Sequence, residues 1–464
     1  MAQSIFIGGT ASHVGKSWFT TAFCRLLARR GLRVAPFKAQ NMSNNSYPCV
    51  EGGEIGRSQA VQAEACGVPP MADMNPVLLK PNSATGSQVV VRGRAWANVE
   101  AREYYGHTAR LFDVALESHR RLASQFEYIV CEGAGSVAEV NLRDRDITNL
   151  RFAAAVGAKA LLVADIERGG VFAALAGTMD LLTPEQCDCV KAFAVNRFRG
   201  DARLFDSGVE FLEERLGIPC LGVFPLDREI VIDEEDTLAI EDTGGTASDV
   251  AVVRLPHISN FTDFRSVGPV EWVSKPLAKQ FRIVFLPGTK NTIGDLLWLR
   301  ERGLDAWIHS QRAGGALIVG ICGGYQMLGE TVDDPEGLES VEGSAPGLRL
   351  LPVRTVLRWP KTTRVVEART EAGVPFRGYE IHMGETARDP ACLPFAHLPD
   401  GTPEGCRAQG VIGTYLHGAF DDPAVIAEIL GIQATVAPNY EMYDRLACWL
   451  QRHARPEVLE DLIA

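Results

Sequence analysis

The sequence predicts an α/β protein of two units in tandem, and three observations predict it. Short apolar runs alternate with helical patterns through the first half, the signature of a mostly parallel sheet. A second α/β series follows an acidic stretch, Asp233–Asp249 (DEEDTLAIEDTGGTASD), which contains Gly and Thr and has no apolar periodicity. The length, 464 residues, exceeds what one ordinary core fills and suits two domains of about 200 residues. The expected division is 1–232, a linker at 233–249, and 250–464.

In the first unit the candidate strands are Ser4–Gly8, Leu32–Phe37, Tyr128–Cys131, Ala160–Ala164, Lys191–Val195 and Cys220–Val223. Helical patterns lie between them at Lys16–Arg30, Glu54–Cys66, Val99–Leu122 and Val171–Leu182. The second unit offers strands at Val250–Leu255, Phe281–Leu286 and Ala316–Gly320, a helix after Thr292, and a β-rich run from Leu348 to Ile412. A helical pattern at Tyr440–His453 closes the chain, and no internal repeat is evident.

Apolar content of 46% and charged content of 22% are those of a globular protein. A net charge of −12, with no basic cluster to offset it, argues against nucleic-acid or membrane-surface partners. Eleven cysteines are scattered, and Cys187/Cys189 has neither zinc nor redox spacing, so the expectation is a reducing compartment. The N-terminus enters a strand at once, and no apolar run reaches membrane-spanning length. A cytoplasmic protein is expected.

Gly9-Thr10-Ala-Ser-His-Val-Gly15-Lys16-Ser17 follows the first strand and opens a helix. Glycines there permit close backbone approach, and helix N–H groups and the helix dipole hold phosphates. Lys16 is expected to reach the β/γ-phosphates and Ser17 to bind Mg²⁺. Five residues rather than the usual four separate Gly9 from Gly15. Glu132, at the end of the strand Tyr128–Cys131, is placed to supply a second metal contact, and Asp165 has the same placement with less support. Asn196, ending the next strand, is a candidate for nucleotide contact.

Residues 318–324, Ile-Val-Gly-Ile-Cys-Gly-Gly, carry an apolar strand into Gly-x-Cys-x-Gly, the thiol counterpart of the nucleophile elbow. The helix from Gly323 directs its N-terminal dipole at Cys322 and favours the thiolate. His417, in Tyr-Leu-His-Gly, is the expected base. Cys322 would attack the side-chain amide of glutamine, form a thioester and release ammonia. The expected oxyanion donors are the N–H groups of Gly323 and of Gly288, in the Pro-Gly-Thr turn.

The motifs GICGGYQMLG and GTYLHGAF resemble those of class I glutamine amidotransferases, which have a flavodoxin-like fold. The phosphate loop resembles that of the dethiobiotin-synthetase-like ATPases, which share the Gly-x₅-Gly-Lys-[Ser/Thr] spacing. One family joins the two in this order, the cobyrinate amidases of cobalamin synthesis. Segments 36–46 (PFKAQNMSNNS), 53–67 (GEIGRSQAVQAEACG), 74–83 (MNPVLLKPNS), 87–94 (SQVVVRGR), 254–264 (RLPHISNFTDF), 286–296 (LPGTKNTIGDL) and 378–384 (GYEIHMG) extend the resemblance nearly end to end.

The resemblance implies ATP and Mg²⁺ as cofactors, L-glutamine as ammonia donor, a corrinoid substrate, and amide formation through an acyl phosphate. KAQNMSNN and MNPVLLKP favour the member that amidates the b, d, e and g side chains of adenosylcobyrinic acid a,c-diamide over the sister enzyme that amidates a and c. A regulatory ATPase of the MinD/ParA type with a degenerate glutaminase is a remote alternative, opposed by the intact Cys322 and His417. The resemblance also implies Glu54 as a further Mg²⁺ ligand, and Asp146 as either a helix N-cap or a carboxylate near the reacting substrate. Lys38, Gln40, Asn41, Asn44 and Asn45 are expected to line the nucleotide and corrinoid cleft. Many class I glutaminases carry Glu two residues after the His; here Ala419 stands there, so the group that orients His417 is left open.

Overall fold

A computed structural model describes residues 2–82, 86–230, 232, 248–340, 342–434 and 439–464. Most of the expected linker, 233–247, lies outside the described residues.

The first sheet is built from β1 (Gln3–Gly9), β2 (Val34–Phe37), β3 (Tyr128–Glu132), β4 (Lys159–Asp165), β5 (Val190–Phe198) and β6 (Cys220–Pro225). Its order is β6-β5-β4-β1-β3-β2, and every pairing is parallel. The apolar, β-branched composition of these strands follows from burial on both faces. β1 runs straight into the phosphate loop and α1 (Lys16–Arg29). The register sets Ile7 beside Glu132, which brings the loop and that carboxylate to one edge.

One face of this sheet is covered by helices such as Thr108–Ala123, Val171–Leu181 and Asp206–Leu216, packed on Phe37, Phe152 and Phe193. α1 and α2 (Arg57–Cys66) cover the other face. Two expected helices are shorter than their patterns. Glu54–Gly56 is a strand paired with Ser46–Pro48 rather than the start of α2. The pattern at Val99–Leu122 is interrupted at Tyr105–His107, around Gly106, and begins in the strand Arg94–Glu100.

The second sheet comprises β7 (Val250–Val253), β8 (Glu271–Val273), β9 (Ile283–Leu286), β10 (Leu317–Ile321), β11 (Cys406–Ala408) and β12 (Val411–Thr414). Its order is β8-β7-β9-β10-β12-β11, parallel except for the β11–β12 hairpin. α3 (Gly323–Leu328) follows β10. The C-terminal edge of an open parallel sheet is where loops converge into a site. Here it gathers Gly288 after β9, Cys322 after β10 and His417 after β12.

The chain end departs from the expected division. α4 (Asn439–His453) and α5 (Pro456–Ile463) pack on the first sheet, not the second. Tyr443, Leu446, Ala447 and Leu450 recur at helical spacing and join Phe19, Phe23 and Phe224 in one core. Trp449 meets Phe224 at 4.8 Å and Phe19 at 5.3 Å between ring centroids, and its indole N–H donates to Pro225 O at 3.1 Å. At Gly222 an added Cβ would lie 2.2 Å from His453 O, so only glycine allows this approach. The second unit is therefore set within the first, whose exposed face 439–463 returns to cover. An amphipathic pattern reveals that a helix has an apolar face but not which sheet it covers.

Candidate active site

Cys322 sits at the elbow with φ 53° and ψ −112°, a strained backbone for a non-glycine residue. Its N–H continues the ladder by donating to Thr414 O at 2.8 Å. The turn is sharp enough that an added Cβ at Gly324 would lie 2.0 Å from Leu286 O, and one at Gly320 would lie 2.7 Å from the Gly324 backbone. The two glycines are thus required by close approach.

His417 is fully buried and its Nδ1 bonds Asp263 Oδ2 at 2.7 Å; Asp263 Oδ1 also accepts the Gly418 N–H at 3.0 Å. Asp263, 2% exposed, is the orienting carboxylate that the sequence left open. It precedes His417 by 154 residues, so no local spacing announces it. Burial alone would lower the His417 pKa. The Asp263 carboxylate, and next the Cys322 thiol, more than reverse this and raise it to about 10. His417 Nε2 makes no formed hydrogen bond, while the Cys322 thiol beside it donates to Ile381 O at 3.5 Å. Tyr379 stacks on the imidazole at 5.2 Å, and its main chain exchanges two hydrogen bonds with the main chain of His417. The three side chains form a Cys–His–Asp triad.

Gly288 lies against this triad, since an added Cβ there would be 3.1 Å from His417 Cε1. Its turn is held rigidly: the Thr289 hydroxyl donates to buried Asp295 at 2.5 Å, and Asp295 also bonds His257 Nδ1 at 2.7 Å. Gly323 packs on the same turn, with no room for a Cβ beside Thr289. A small cavity opens on Cys322, and its walls include Asn260, His382, Lys290, Lys361 and Lys80.

In the first unit, Gly15 has φ 105° and an added Cβ would lie 2.2 Å from Asn196 Nδ2, which donates to Val14 O at 2.8 Å. Asn196 thus braces the phosphate loop. Thr10 N–H donates to Val163 O, and an added Cβ at Gly9 would meet Val14. Lys16 Nζ donates to Ala11 O and Gly135 O, each at 2.9 Å, bridging the loops after β1 and β3. Ser17 Oγ donates to Glu132 Oε1 at 2.9 Å, so the structure brings together the two groups expected at Mg²⁺. A hydroxyl and a carboxylate at a helix N-terminus suit Mg²⁺, which otherwise keeps waters and phosphate oxygens. Glu132 also accepts from Lys38 at 3.0 Å and from Gln62 at 2.5 Å; Gln62, on α2, lies within segment 53–67, but nothing in its spacing marks it as a partner of Glu132.

Glu54 is placed elsewhere. It is buried, accepts from Ser46 Oγ and Lys80 Nζ at 2.7 Å each, and pairs through its other oxygen with Lys361 of the second unit. Burial would raise its carboxyl, but Lys361 and Lys80 hold it well below the usual carboxylate range. Both oxygens are engaged by ammonium groups. Asp165 is likewise bound to Arg197 at 3.0 Å. Asp146 accepts the N–H groups of Thr148 at 2.7 Å and Asn149 at 3.1 Å in the turn before the helix Leu150–Ala155, whose N-cap is Asn149, while burial pushes its carboxyl up.

The polar cluster after β2 divides between structure and contact. Asn41 bonds Gln59 at 3.0 Å, and Gln40 accepts from Tyr104. Asn44 Oδ1 is buried without a partner. Asn45 Oδ1 accepts the Phe261 N–H at 3.3 Å while Asn260 Oδ1 accepts the Ser46 N–H at 2.9 Å. This reciprocal clasp joins the units three residues from Asp263.

Residues 5–238 match the family described as the CobQ/CobB/MinD/ParA nucleotide binding domain, and residues 249–425 the CobB/CobQ-like glutamine amidotransferase domain. Fold and site thus define a nucleotide-binding domain joined to a class I glutamine amidotransferase. Cobyric acid synthase of Parabacteroides distasonis is 43% identical, with 99% of each chain covered. The enzymes of that name from Chlorobium phaeobacteroides (44%, 96% of each chain) and Chlorobaculum tepidum (46%, 91% of this chain and 89% of that one) are as similar. The chain belongs to the cobyric acid synthase family. Among the described residues no helix is long and apolar enough to cross a membrane.

Proposed function

We propose that this chain uses ATP and glutamine-derived ammonia to amidate the b, d, e and g side-chain carboxylates of adenosylcobyrinic acid a,c-diamide. The observation that carries the reading is a complete Cys322–His417–Asp263 triad opening on a cavity that reaches Lys80 of the nucleotide-binding unit. A degenerate glutaminase would not retain the triad.

At the triad, Cys322 attacks the glutamine amide carbon, and the Gly323 and Gly288 N–H groups receive the developing oxyanion. His417 takes the Cys322 thiol proton, the Asp263 carboxylate stabilising the imidazolium so formed, and returns that proton to the departing nitrogen, so ammonia leaves and the thioester remains. Water then hydrolyses the thioester to glutamate, with His417 taking a proton back. At the other site a substrate carboxylate attacks the ATP γ-phosphorus, giving an acyl phosphate and ADP. Lys16 offsets charge on the transferring group; Ser17 and Glu132 would hold Mg²⁺, which supplies further neutralisation when bound. Ammonia attacks the acyl carbon and expels phosphate.

The test is mass spectrometry of the corrinoid a,c-diamide incubated with enzyme, Mg²⁺, ATP and glutamine. Stepwise replacement of four OH groups by NH₂ is expected. Cys322→Ala should abolish this with glutamine and retain it with ammonium chloride. No change in the diamide, with cobyrinic acid amidated only at a and c, would refute the substrate assignment.

A further inference from the structure

Lys80 is the residue through which the first unit enters the wall of the Cys322 cavity. It does not stand alone there. Lys80 Nζ and Ser46 Oγ share Glu54 Oε2, and Lys361, on the same cavity wall but from the second unit, holds Glu54 Oε1. All three ionic side chains are buried, with Glu54 and Lys80 exposed by 1% and 4% and Lys361 by 10%. We propose that this Lys80–Glu54–Lys361 triad is the gate through which ammonia leaves the Cys322 cavity for the nucleotide-binding unit.

Connectivity supports it. Behind the triad, Glu54 begins the short strand that leads directly into α2, and Gln62 of α2 reaches Glu132 beside Ser17. Ser46 belongs to the segment that starts from Lys38, which bonds the same Glu132 carboxylate. Two chain segments thus tie the triad to the phosphate loop, so a change at Glu132 can be felt at the cavity wall.

Charge supports it as well. Lys80, Lys290 and Lys361 line the cavity, with Glu339 the opposing acid, 3.4 Å from Lys290. Such a wall repels ammonium and passes neutral ammonia, the form that attacks an acyl phosphate. The triad is also poised: burial, opposed by Glu54 and aided by the Lys361 and Lys290 charges, lowers Lys80 to about 7. Replacing one partner of a buried pair leaves a buried charge uncompensated, so the gate is expected to fail in the single variants.

The inference rests on ammonia passing between the two sites, and the experiment separates the two ideas. Enzyme is given [amide-¹⁵N]glutamine with excess unlabelled ammonium chloride, Mg²⁺, ATP and the a,c-diamide, and the ¹⁵N share of the new amides is measured beside glutamate released per amide formed. Wild type is expected to incorporate mainly ¹⁵N, with glutamate and amide equimolar. In Lys361→Met the ¹⁵N share should fall several-fold and glutamate should exceed amide several-fold, while synthesis from ammonium alone is unchanged; Lys361→Arg should restore both ratios. Wild-type ratios in Lys361→Met, or an equal loss of ammonium-dependent synthesis, would overturn the gate. Dilution of ¹⁵N already in wild type would overturn ammonia transfer itself.

Discussion

Replacing Asp263 by Asn removes the negative charge beside His417 with almost no change in shape. The two groups are 2.7 Å apart at their nearest atoms and both are buried. Charge centres about 4 Å apart at an effective dielectric constant of about 20 interact by about 4 kcal/mol. At about 1.4 kcal/mol per unit this is roughly three pKa units. His417, held near 10 in the native protein, should therefore fall to roughly 7 or lower, because burial then acts almost alone. The sign follows directly. A raised histidine pKa adds stability that is complete below about 6.5 and is lost as pH rises through about 10. The variant loses that contribution, and its imidazolium, the acid needed for ammonia departure, disappears above neutrality. Glutamate release measured from pH 6 to 11 should show the alkaline limb shifted from near 10 to near 7. At pH 8, kcat should fall by roughly 10²–10⁴-fold, as for other triads that lose the carboxylate. Synthesis from ammonium should persist. An unmoved alkaline limb, or parallel loss of both activities in a folded variant, would refute the triad.

Two further substitutions probe the frame around the sites. Trp449→Ala should cost about 3–5 kcal/mol in denaturant unfolding of the nucleotide-binding unit, because it empties the contact among α1, β6 and α4; an effect confined to the glutaminase would contradict the packing. Gly324→Ala should abolish alkylation of Cys322 by iodoacetamide while ATP binding persists, since the added carbon would overlap Leu286 O.

Cys322, His417 and the Gly9–Ser17 loop were legible because each is a local motif whose geometry is set by its own strand and turn. Glu132 was legible from its place at the end of a parallel strand, and Ser17 does meet it. Asp263 was not, although it lies within a segment that carries the family resemblance: its bond to His417 depends on how β7 and β12 are arranged in the second sheet. The ion pairs of Glu54 were hidden for a related reason. The resemblance expects a carboxylate near the metal; of the partners it has here, Lys80 lies in its own unit and Lys361 becomes a neighbour only once the two units meet. The helix Asn439–His453 matches its expected pattern and Pro456–Ile463 was not anticipated, and the sheet both serve was hidden by the long excursion that precedes them.

That excursion has a consequence in time. Translation at about 5–20 residues per second needs roughly 10–40 s to pass from Pro225, the last residue of β6, to Asn439, the first of α4. Throughout that interval the apolar face formed by Phe19, Phe23 and Phe224 lacks its cover, whereas the strands of the glutaminase sheet have all been made by Thr414. The ammonia-producing half can therefore be complete on the ribosome before the ammonia-consuming half is stable, and no growing chain presents a finished ATPase that lacks its nitrogen supply.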